Sequence, residues 1–193
     1  AWSPDGKWIA FTATMGGNPD IYLKAVEGDT LRPIIQSWGI DVNPSWSPDG
    51  TAIVFSSNRS DENQLYRYDL KSGETKRITF TGSNNQSPVW SPKGGKIAFS
   101  SYYENYFQIF VMDEDGGNIE QLTFLSADAE NPSWSPDGRF IAFNSGAGQE
   151  GAIYVVHVYT REITRLTSGA GKDANPAWSP RPPLPAPTRS GGK

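Results

Sequence analysis

The sequence predicts an all-β fold, a β-propeller of four 44-residue, four-stranded blades. Three observations predict it. The phrase Trp-Ser-Pro occurs at Trp2, Trp46, Trp90, Trp134 and Trp178, always at an interval of 44 residues. A fixed period of about 40–45 residues is the length of a propeller blade. The apolar runs inside each period are short and bounded by turn residues, which suits strands and not helices. Those runs also recur in register, as they must if each sheet buries its two faces against its neighbours.

The units run 2–45, 46–89, 90–133 and 134–177, with the start of a fifth at 178. Each opens on a turn, Asp5-Gly6, Asp49-Gly50, Lys93-Gly94 and Asp137-Gly138, after a proline that fixes φ and before a glycine that accepts φ > 0. A first strand follows, Ile9-Ala10-Phe11, Ile53-Val54-Phe55, Ile97-Ala98-Phe99 and Ile141-Ala142-Phe143. A polar loop leads to a second, Ile21-Tyr22-Leu23, Leu65-Tyr66-Arg67, Ile109-Phe110-Val111 and Ile153-Tyr154-Val155. A third stretch holds Ile34-Ile35, Ile78-Thr79, Leu122-Thr123 and Leu166-Thr167, and the unit returns through Asn43-Pro44, Ser87-Pro88, Asn131-Pro132 and Asn175-Pro176. Trp2, Trp46, Trp90, Trp134 and Trp178 are expected to pack between blades as structural residues.

The motif x-Pro-x-Trp-Ser-Pro-Asp-Gly-x-x-Ile-Ala-Phe, closest at 131–143, resembles the TolB-like β-propeller repeat family, over residues 1–180. The resemblance implies a non-enzymatic scaffold for protein–protein interaction in a periplasmic or extracytoplasmic setting. The alternative it implies is a propeller domain of a prolyl-oligopeptidase-like or tricorn-like peptidase, gating substrate access. A Gly-x-Ser-x-Gly domain in the same gene would decide for the alternative. The chain departs from the repeat at Ala25 and His157, where units 2 and 3 carry Asp69 and Asp113, and at Pro33, which suits an outer edge strand.

Composition bounds the chemistry. Net charge is -4 and pI about 5.0, so the basic footprint of a nucleic-acid binder is missing. No apolar run approaches the roughly 20 residues of a membrane helix. With no Cys, disulfides and thiolate metal sites are excluded. The single His, His157, leaves no multi-His metal site, and with it goes the lyase chemistry known among similar propellers. No Gly-x-Ser-x-Gly elbow occurs. The run Asp113-Glu114-Asp115-Gly116-Gly117 lacks calcium-loop spacing and reads as a solvated hairpin. No catalytic residue, metal or cofactor is expected.

Binding is expected on the loops of one face, 13–20, 57–64, 101–108 and 145–152 with 36–43, 80–87, 124–131 and 168–175. Tyr102, Tyr103, Tyr106 and Phe107 form an aromatic loop segment near Trp38, Phe124 and Leu125 in the repeat frame, the composition of an interface anchor. Asp41, Asp128, Glu130 and Asp173 would make that face negative and suit a basic partner. The chain opens inside a motif and without Met, as a processed product or a piece of a longer protein would. Ala1-Trp2-Ser3-Pro4 and Ala177-Trp178-Ser179-Pro180 are identical, and in a closed four-bladed ring they would compete for one slot. A larger propeller, or a homodimer completing an eight-bladed ring, is therefore expected. The Pro-rich tail 181–193 should be extended or disordered.

Overall fold

The computed structural model describes residues 1–146, 150–168 and 171–179. The expectation for the Pro-rich tail lies outside the described residues. Among those residues there are fifteen strands and no helix. Blade 1 holds β1 (Trp8–Ala13), β2 (Asp20–Ala25) and β3 (Leu31–Ile35). Blade 2 holds β4 (Asp41–Trp46), β5 (Ala52–Ser60), β6 (Glu62–Asp69) and β7 (Thr75–Arg77). Blade 3 holds β8 (Asn85–Trp90), β9 (Lys96–Tyr103), β10 (Tyr106–Asp113) and β11 (Glu120–Gln121). Blade 4 holds β12 (Asp128–Trp134), β13 (Phe140–Gly146), β14 (Ala152–His157) and β15 (Ile163–Arg165).

Every sheet is an antiparallel meander in chain order. Each motif Trp ends the inner strand of its blade, so blades 2 to 4 begin at Asp41, Asn85 and Asp128, a few residues before the sequence period. That strand has no apolar run to announce it. It carries a bulge at Asn43, Ser87 and Asn131, all at φ between 52 and 55. In blade 1 the place of the inner strand is taken by Ala1–Ser3, where Trp2 bridges Ile9 and the Ala1 and Ala10 backbones exchange hydrogen bonds. β3 is the outer edge and holds Pro33, where a missing N–H costs no ladder bond.

The turn that opens each unit is fixed by its own side chains. Ser3, Ser47 and Ser135 donate their hydroxyls to Asp5, Asp49 and Asp137 at 2.6–2.7 Å. These serine bonds are the largest of the causes that hold all three carboxyls below the usual range. Gly6, Gly50, Gly94 and Gly138 follow at φ of 70–74°, the left-handed region that favours glycine.

The core is a series of layers between blades. Along β5 the residues alternate: Ile53 and Phe55 pack on Ala10, Ile21 and Leu23 of blade 1, while Ala52 and Val54 pack with Trp90, Ile97 and Phe99 of blade 3. The next layer repeats the scheme, with Ile141 and Phe143 of blade 4 against Ala98, Ile109 and Leu122 of blade 3. So the Ile and Phe of each first sequence run face the preceding blade, as period-2 alternation allows. Trp90 and Trp134 are buried in these layers and Trp46 is half-buried at the edge of the first. The end tryptophans depart from the expected burial. Trp2 is 62% exposed and Trp178 is 38% exposed. Among the described residues no blade covers Trp2, and for the same reason Ile9 and Phe11 are only half-buried where their counterparts are fully buried. Among the described residues, the Trp178 amide donates to Ser133 Oγ at 3.4 Å.

Candidate functional site

The inner-strand starts and the hairpins β5–β6 and β9–β10 lie at one end of the blades, with the connections 36–40, 80–84 and 124–127 beside them. Ile40 N donates to Asn58 Oδ1 at 2.6 Å, Tyr102 N to Asn84 O at 2.9 Å and Phe107 N to Asp128 Oδ1 at 2.9 Å. We call this the upper face. A buried amide fastens the second and third connections. Gln64 takes the Thr79 hydroxyl at 2.7 Å and donates to Gly82 O, and Gln108 repeats this with Thr123 and Leu125 O.

The segment 102–107 is not a loop. It is the end of the β9–β10 hairpin, paired Tyr103↔Tyr106 and Phe107↔Tyr102. Glu104 and Asn105, at φ 49 and 78, form the two-residue turn whose left-handed backbone matches strand twist. Tyr102 meets Phe107 edge-on at 5.4 Å and Tyr103 meets Phe110 at 6.3 Å, so the rings are held by the sheet and still exposed at Tyr102, Tyr103 and Tyr106. Phe107 is half-buried. Beside the hairpin is a cavity of about 210 Å3 lined by Tyr103, Tyr106, Gln108, Phe124 and Leu125.

Trp38 stands 72% exposed on the first connection and Phe124 69% exposed on the third. Sequence reasoning missed Phe80, which is 72% exposed on the second connection, with Arg77 stacked on its ring at 5.1 Å. Phe80 precedes Phe124 by one period, and that spacing was the available signal. Met15 and Ile40 are also exposed here. The acidic residues separate. Asp41 is fully buried, paired with Arg59 at 2.8 Å and bonded by the Ser37 hydroxyl, so it adds no charge to the face, against expectation. Asp173 is exposed, with its amide bonded to Gly151 O. Asp61, Glu62 and Glu104 are exposed at the hairpin ends and supply the charge that Asp41 does not.

Asp128 and Glu130 lie together at the start of β12. Glu130 accepts from Gln86 Nε2 at 3.0 Å. Burial, and then the Asp128 carboxylate, push its carboxyl up, while Lys172 and Gln86 pull it back. Nearer the axis, Asn43, Ser87, Asn131 and Asn175 and their prolines line an opening of about 310 Å3. His157 ends β14, and its Nδ1 accepts the Tyr159 and Thr160 amides, capping a turn. Among the described residues no cluster of three acidic or His side chains could hold a metal, and no helix is long and apolar enough to cross a membrane.

Radially stacked four-stranded meanders with inner strands around a common opening define a β-propeller repeat protein. The chain belongs to the TolB beta propeller domain family, whose family model matches residues 1–182. It is similar to TolB from Acinetobacter baumannii, with 34% identity and a TM-score of 0.83 over 91% of this chain and 44% of that one. A putative TolB from Agrobacterium tumefaciens is 26% identical, with a TM-score of 0.82 over 92% of this chain and 68% of that one. A chain of a nidogen/laminin complex shares the fold at 15% identity and a TM-score of 0.74, over 91% of this chain and 65% of that one. This chain thus spans less than half the length of the Acinetobacter TolB. No curated protein matches it.

A raised carboxyl pKa means that the fold prefers the neutral acid. Stability then falls as pH rises through the ordinary glutamate value of about 4.5 and stays lower above the folded value. Replacing Glu130 with Gln should raise the melting temperature at neutral pH and leave it unchanged near pH 3. A shift of equal size at both pH values in thermal denaturation would contradict this.

Proposed function

We propose that the chain is a non-enzymatic scaffold that binds a protein partner on its upper face. The observation that carries this reading is the gathering of Trp38, Phe80, Tyr102, Tyr103, Tyr106 and Phe124, all exposed, among exposed carboxylates at one end of the blades. Exposed aromatics that the sheet holds in place lose little entropy on binding, and they are the usual anchors of protein interfaces. Phe107 backs the anchors from below. Asp128, Glu130 and Asp173, with Asp61, Glu62 and Glu104, favour a basic segment in the partner. Family membership and the likeness to two TolB structures support a binding role over catalysis. The same relationship supports a periplasmic or extracytoplasmic location.

An array of immobilised peptides of either charge tests this. The wild-type chain should favour basic peptides, and the double substitution Tyr103→Ser, Tyr106→Ser should weaken that binding about tenfold or more, consistent with loss of a hot spot. Unchanged binding by the folded variant, or preference for acidic peptides, would contradict the proposal.

We also propose that two copies associate to complete a ring. Trp2, Ile9 and Phe11 leave an apolar blade face without the cover that every internal layer receives. Native mass spectrometry should find twice the 21.1 kDa of one chain, and Trp2→Asp should return it to one. A wild-type chain that stays monomeric at micromolar concentration would contradict ring completion.

A further inference from the structure

The opposite, lower face carries a cleft beside the opening turns at two blade junctions, and the two clefts differ in charge. The one between blades 1 and 2, about 320 Å3, is lined by Asp5 and Asp49 with Arg32, whose guanidinium lies over Trp8 at 5.4 Å. The one between blades 3 and 4, about 300 Å3, has walls of Val111, Leu122, Trp134 and Val158. Its charged residues are Lys93, Lys96, Glu120, Asp137 and Arg161. Four of them are balanced: Lys96 pairs with Asp113 at 2.7 Å, Arg161 with Glu120 at 3.3 Å, and Asp137 with Arg139 at 2.7 Å. Lys93 makes no ion pair among the described residues.

Lys93 is also where the repeat breaks its own rule. The other three turns place an Asp there, and each Asp carboxylate accepts a hydrogen bond from the hydroxyl of the Ser two residues earlier. In blade 3 that Ser is Ser91, which is buried and lines the cleft. Its oxygen accepts the Lys93 amide at 3.3 Å, and among the described residues its hydroxyl donates to nothing. The aliphatic stem of Lys93 lies against the next turn, so close that a Cβ on Gly138 would sit 3.0 Å from Lys93 Cγ. The side chain is thereby held beside the cleft.

We infer that this cleft binds a small organic carboxylate with an apolar body. The ligand's carboxylate takes the role that the Asp side chain has in the other turns: it accepts the Ser91 hydroxyl and pairs with the Lys93 ammonium. The apolar body lies along Val111, Leu122, Trp134 and Val158, replacing water on that surface. The cleft between blades 1 and 2 has the same place in the repeat but carries Asp5 where this one carries Lys93, so its own side chain fills the carboxylate position and repels such a ligand by like charge. The inference does not depend on the upper-face proposal.

Octanoate is a suitable probe, with octan-1-ol as the uncharged control. Calorimetric titration of the whole chain should show one saturable octanoate site, and the Trp134 indole N–H should shift in NMR spectra over the same range. Lys93→Asp restores the residue that the other repeats carry. It should weaken octanoate binding at least tenfold, and Lys93→Gln should weaken it too. Octan-1-ol should bind at least tenfold more weakly than octanoate. Absence of saturation, equal affinity in folded Lys93→Asp and Lys93→Gln, or equal affinity for octan-1-ol would each overturn the inference.

Discussion

A single blade has two apolar faces and can cover neither of them alone. That constraint governs the whole molecule. It sets the alternation along β5 and β9, where neighbouring residues point into different layers. It also explains why Trp90 and Trp134 are buried while Trp2, in the same motif, is not. Stability in such an array is close to a sum of layer contributions, each belonging to two successive blades. Loss of one layer should therefore be felt locally first.

Because the layers consume the side faces, the two ends of the blades are left for function, and they are chemically different. The upper end carries exposed aromatics on connections that a buried Gln fixes in place at two of the blades. The lower end carries the Ser-x-Asp turns, whose carboxylates are satisfied internally. Departures from the repeat are informative at both ends for one reason. The scaffold is already satisfied by the consensus residues, so Lys93 or the tyrosines of 102–106 are not needed to build it.

Much of the fold was legible because its signals are local. The 44-residue period, the Ile-x-Phe runs and the Gly-bearing turns each reflect the conformation of a few adjacent residues. The inner strand was not legible, because Asp41–Trp46 and its counterparts contain polar residues, a proline and a bulge in place of an apolar run. The hairpin end at 102–107 looks like a loop in sequence, since its pairing depends on residues across the strand and on two positive φ angles at Glu104 and Asn105. The aromatic character of the upper face was legible from composition, but its charge was not. Nothing in the sequence around Asp41 announces that Arg59 neutralises it from the neighbouring strand.

A motif tryptophan stabilises the fold only through the preceding blade. Urea denaturation of Trp90→Ala and Trp2→Ala, at a concentration low enough for single chains, compares the same residue in the same motif with and without that blade. Trp90→Ala should lose about 3–5 kcal/mol, the usual cost of emptying a buried aromatic site. Trp2→Ala should lose less than about 1 kcal/mol, as an exposed side chain does. Equal losses at the two positions would contradict the layered account.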